Sequence, residues 1–154
     1  MGTLSMLRKM RGVAAVELAV LLVPLVIITF GMAELGRAFY YYNGAVKSVR
    51  SASRYLSMQE RGAGEAAARC LAVYGIAAAG SAGACAGDDP VVPGLETGMV
   101  DITYEPAVAT GYSTNTIDLV TVTISGLPFQ AVTSFPVEVA AFGPITSTMR
   151  QGRP

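Results

Sequence analysis

Few residues in this chain are equipped for chemistry. It has no histidine, so the commonest general base and metal ligand is missing. No GxSxG, no HExxH and no phosphate-binding glycine loop occurs. The expectation is therefore a protein that is not an enzyme and holds no cofactor or metal. Asp88 and Asp89, followed by Pro90, read as a turn. Two cysteines, Cys70 and Cys85, have fourteen residues between them, which matches no CxxC redox motif. Two thiols without histidine are also too few for a zinc site. Outside the cytoplasm the pair is expected to oxidise, and a disulfide closing a loop of that size stabilises a fold by about 3 kcal/mol. In a reducing compartment they would be two buried thiols. The other notable residues are Gly12, which ends a basic stretch, and Glu17, five positions on, the one charge in a long apolar run.

The charge pattern shows where that run belongs. Only 14% of the chain is charged and 52% is apolar, against about a quarter charged in ordinary soluble domains. The surplus is concentrated in VAAVELAVLLVPLVIITFGMA, residues 13–33. As a helix rising ~1.5 Å per residue, this segment spans the ~30 Å core of a bilayer. Arg8, Lys9 and Arg11 precede it without any acid, and the next cation is Arg37. The positive-inside rule then keeps the N-terminus cytoplasmic and exports the rest. The formal net charge of zero leaves no basic excess for nucleic acid.

The apolar pattern extends past the membrane segment. Phe39, Tyr42, Val46, Val49 and Leu56 recur at helical spacing. One helix is expected from about Val13 to Leu56, roughly 65 Å long. Pro24 should kink it, and Asn43–Gly44 marks a weak bend. Glu34 and Arg37 read as a surface i, i+3 pair, and Tyr40, Tyr41 and Tyr42 as an aromatic belt at the lipid boundary. Lys47, Arg50 and Arg54 form a basic row that reads as a solvated face and could also meet acidic patches on neighbouring subunits. A second helix is expected over Glu65–Ala78, packing through Leu71, Tyr74 and Ala78. A small-residue loop over 79–98 follows, with too little apolar bulk for a core of its own. Alternation then marks two strands, residues 99–105 and 116–125, joined through a turn or loop at 106–115 into an antiparallel hairpin. Residues 127–144, interrupted by prolines, read as a loop with room for a short helix, and residues 144–150 as a last strand. The fold class is α+β: a long transmembrane helix, helices over about 34–78, and a small antiparallel sheet over 99–150.

The stretch RGVAAVELAVLLVPLVIITFGMAELGRAFYYYNGAVKSVRSASRYL, from Arg11, resembles the N-terminal region of the TadE-like family, minor pilins or pseudopilins of the Tad (Flp) pilus system. The resemblance rests on Gly12 before an apolar helix, Glu17, Pro24, the Glu34–Leu35–Gly36–Arg37 stretch and the small-residue helix beyond. It implies a 1–12 leader, cut by a prepilin peptidase between Gly12 and Val13, a 13–33 transmembrane helix and a 34–154 exported domain. Glycine before the cut lets the protease approach the backbone closely. Glu17 would set assembly register by pairing with the freed N-terminal ammonium of a neighbouring subunit. The implied partners are that peptidase, other pilin and pseudopilin subunits, the inner-membrane assembly platform and membrane lipid. The implied location is the bacterial inner membrane, with the C-terminal domain in the periplasm and incorporation into an extracellular pilus.

One rival stands beside this. Arg8–Arg11 and Leu18–Phe30 have the form of a signal peptide, with Gly31-Met32-Ala33 as its cleavage site. Cutting after Ala33 would leave a periplasmic binding domain. Against it, the helical pattern runs on through Ala33, and Glu17 has no role.

Overall fold

A computed structural model describes residues 3–77, 85–87, 89–111, 115–131 and 142–152, with the side chains of residues 3–12 outside the description. The elements in chain order are α1 (Thr3–Ser57), α2 (Glu65–Tyr74), a short 3-10 turn (Thr97–Met99), and strands β1 (Val100–Ala109), β2 (Thr116–Ile124) and β3 (Ile145–Arg150). This is the expected α+β class. The chain divides into two compact units, Met1–Arg37 and Ala38–Pro154.

In the first unit α1 starts at Thr3, ten residues before the expected Val13, and continues through Pro24. Proline removes the N–H that would bond the carbonyl of Val20. One turn further on, the Thr29 hydroxyl donates to the Leu25 carbonyl at 2.8 Å. The apolar side chains from Val13 to Leu35 are not covered by protein.

The second unit is a two-layer head. Its sheet has the order β1-β2-β3, antiparallel throughout. The alternation read from sequence holds: Val100, Val120, Val122 and Ile124 are fully buried, with Ile102 and Tyr104 half-buried beside them. The rest of α1 packs on this face through Ala45, Val49, Ala52 and Leu56, all buried. The Ser53 and Ser147 hydroxyls bond across the layers at 2.9 Å.

This corrects the expected stripe. Val49 and Leu56 lie on it, Val46 is half-buried, and Phe39 and Tyr42 stay exposed. The helix sits close to its neighbours, and that proximity selects alanine and serine over bulk. Gly44 belongs to the same close packing. It lies within unbroken helix, and a Cβ there would come within 2.9 Å of the buried Val92. Where a weak bend was expected at Asn43–Gly44, α1 runs on without a break.

α2 ends four residues earlier than expected, because Gly75 adopts φ 73° and donates its N–H to the Leu71 carbonyl. That left-handed cap is open to glycine at little cost. Its buried residues are Ala67, Ala68, Cys70, Ala72 and Val73. Leu71 and Tyr74 are only half-buried, and Ala78 lies outside the described residues. Small residues again make the face. Arg69 ties α2 to the sheet by donating to the Val100 carbonyl at 2.7 Å.

β1 runs past residue 105, where a loop was expected. Pro106 and Ala107 stand opposite the single residue Asp118, between the pairs Glu105↔Leu119 and Val108↔Ile117. Pro106 has no N–H for the ladder, and a bulge accommodates it. Asp118 holds the bulge: its carboxylate accepts the Ala107 N–H at 2.9 Å and pairs with Arg61 at 3.0 Å. Ala107 takes φ 56°, the one described non-glycine residue at positive φ.

The chain end closes the head. Gln151 donates through its side chain to the Gln59 carbonyl at 3.0 Å, and the Gly152 N–H donates to the Ser57 carbonyl at 2.8 Å. These bonds satisfy carbonyls at and just beyond the end of α1, which a helix terminus otherwise leaves open. The short helix allowed for within 127–144 falls largely on residues 132–141, outside the described residues.

Candidate processing and assembly site

The sequence placed processing at Gly12–Val13 and register at Glu17, and all three residues lie on α1. Val13 and Glu17 are exposed, Val13 by 60%. Four residues apart, they stand one above the other, about 6 Å along the axis. Among the described side chains no cation pairs with Glu17, and the ion pair formed in this unit is Glu34–Arg37 at 3.1 Å. That contact joins neighbouring turns as the i, i+3 spacing requires.

From Leu18 to Ala33 the surface carries no charge and is apolar apart from Thr29. Leu18, Leu21, Leu22, Pro24, Leu25 and Ile28 line a shallow groove around the proline. A carboxylate at the end of such a surface has only a second charged group or water to satisfy it. The helix is long and apolar enough to cross a membrane.

In the head, Cys70 and Cys85 form a disulfide, with Cα atoms 5.2 Å apart. Cys70 is buried on α2. The bridge tethers residues 85–91 along that helix, where the Val91 N–H donates to the Val73 carbonyl at 2.7 Å. Gly87 lies so close to Tyr74 that a Cβ would approach its Cβ to 2.5 Å. The segment also contributes Val92 and Leu95 to the core.

The tyrosines divide. Tyr40 is 72% exposed, as a boundary residue would be. Tyr41 instead packs edge-on against Phe129 at 5.7 Å, and Tyr42 lies 6.2 Å from Phe142. Phe129 and Phe142 are themselves in edge contact. These two tyrosines therefore tie Phe129 and Phe142 to α1. Phe129 and Phe142 were not singled out in the sequence, although their placement among prolines in an otherwise apolar loop was a usable signal.

A single long apolar helix joined to a disulfide-bridged α+β head fits a membrane-anchored protein. Residues 12–54 match the family model described as TadE-like protein. The matched span starts at the residue before the expected cut and ends within the last turn of α1. A TadE-like segment of this kind points to a protein associated with the Tad pilus system. No curated protein and no solved structure matches the chain.

Proposed function

We propose that this protein is a minor pilin or pseudopilin subunit of a Tad-type pilus. In this reading it is a structural protein and not an enzyme. It is inserted with its N-terminus in the cytoplasm, is cut by a prepilin peptidase between Gly12 and Val13, and presents its head in the periplasm. The observation that carries this reading is the match over residues 12–54, which joins Gly12 and Glu17 to an uncovered apolar helix. After the cut, the Val13 ammonium and the Glu17 carboxylate stand one turn apart on each copy. Staggering neighbouring helices by that turn places the ammonium of one against the carboxylate of the next. Any other stagger leaves both charges unpaired in apolar surroundings.

α1 also continues without interruption through Ala33. That continuity favours an anchored head over one released by a signal peptidase. N-terminal sequencing of the membrane-fraction protein tests the choice. The expected first residue is Val13, and a mature chain beginning at Glu34 would sink the proposal.

A further inference from the structure

Charge in the head is unevenly distributed along the chain. Residues 70–149 hold seven acids and no lysine or arginine, whereas residues 38–59 hold three cations and no acid. Those cations, Lys47, Arg50 and Arg54, are all exposed. At 100° per residue they lie on the side of α1 opposite Ala45, Val49, Ala52 and Leu56, which face the core. The sheet has the converse arrangement. Asp101 and Glu105 are exposed on β1, on the face turned away from α1. Arg150 shares that face but sits on β3, two strands and about 10 Å away. Two further cations adjoin β1, but Arg69 is bonded to the Val100 carbonyl and Arg61 is paired with Asp118, which leaves Asp101 and Glu105 as the unengaged charges of the β1 border. None of these five β1 and α1 side chains takes part in an ion pair among the described residues.

We propose that the Lys47–Arg50–Arg54 row is a docking surface for the Asp101–Glu105 border of a second copy of this chain. The two rows match in length: Lys47 to Arg54 spans about 10 Å along a helix, and Asp101 to Glu105 about 13 Å along a strand. They cannot meet within one molecule, because the packed core lies between them. A contact between different patches on identical copies is heterologous, leaves one row of each kind free at the ends, and propagates. The inference rests on the assembly role proposed above and assigns that role a contact in the head, separate from Glu17.

The test uses the full chain in detergent, with two differently tagged copies and co-purification as readout. One variant reverses the helix row, Lys47→Glu with Arg50→Glu and Arg54→Glu. The other reverses the strand border, Asp101→Lys with Glu105→Lys. Wild-type copies should associate, and more weakly as salt rises. Either variant alone should lose about tenfold or more of that association. Mixing the two variants should restore it, because the reversed rows are complementary in trans. Unchanged self-association of either variant overturns the contact, as does failure of the mixture to recover. Gel mobility of the Cys70–Cys85 bridge verifies the fold, and a Lys47→Gln, Arg50→Gln, Arg54→Gln variant gives the same loss if charge is the cause. The N-terminal residue is read on the same samples. A Val13 terminus without association sinks the contact alone, whereas association without that terminus sinks the pilin reading and leaves the contact standing.

Discussion

Glu17 is the one charge between Val13 and Ala33, it is exposed on α1, and the proposed register role pairs it with the ammonium of a neighbouring copy. A charge at the bilayer centre costs about 2.5–3.5 kcal/mol, and less near the interface where Glu17 lies. A single copy can tolerate that cost, while an assembled helix pack excludes the water that makes it tolerable. Glu17→Ala should leave cleavage after Gly12 intact, because Glu17 lies beyond the scissile bond. Assembly should fall, since each contact then holds an unpaired ammonium. A loss of up to about 2.5 kcal/mol per contact is at most roughly seventyfold in its equilibrium constant. Counting pili in cells that carry normally processed subunit checks this. Glu17→Gln should share the defect, and normal piliation with either variant would count against the register role.

At the scale of elements, the sequence was most informative where a pattern repeats with a fixed period. β2 lies where alternation placed it and β1 starts there before running on to Ala109, because a sheet covered on one face needs apolar residues at every second position, and β3 lies where the last strand was expected. The helix faces were harder to read. Bulky residues dominate a hydropathy pattern, so Phe39 and Tyr42 read as part of a stripe whose buried positions belong to Ala45, Ala52 and Ser53. In a head this thin the close approach of helix and sheet rewards small side chains, which carry little hydropathy signal. The bulge at Pro106–Ala107 depends on Asp118, eleven residues away from Ala107, and no local pattern encodes that. The disulfide was legible as a possibility from two cysteines and became definite once α2 and the 85–91 segment were placed together. Its effect can be measured. Replacing both Cys70 and Cys85 by serine should lower the head's stability by about 3 kcal/mol, the loop-closure value for a ring of this size. Chemical denaturation of the full chain in detergent checks it. An unchanged midpoint would mean that the Val91–Val73 bond and the Gly87–Tyr74 contact hold the segment without the bridge.

For the whole molecule, the consequence of this organisation is separability. The buried cluster of the head is drawn from residues 45–145, with partly buried neighbours from 41 to 149. The expected cut falls between Gly12 and Val13, in the first of the two units. Among the described residues, processing and head folding therefore share no core residue, and a change that stops one should leave the other untouched. Gly12→Val puts a branched side chain where the peptidase needs close access to the backbone. The variant should accumulate in membranes at the full precursor mass, and wild-type protein should be shorter by its first twelve residues. The same precursor should carry the Cys70–Cys85 bridge, seen as a mobility difference between reducing and non-reducing gels, and should unfold at the wild-type midpoint. Intact-mass measurement and gel mobility on one membrane preparation read both properties. A Gly12→Val chain of mature mass would place the cut elsewhere. An uncut chain with reduced cysteines would show that the head depends on processing, contrary to a described core drawn from residues 45–145.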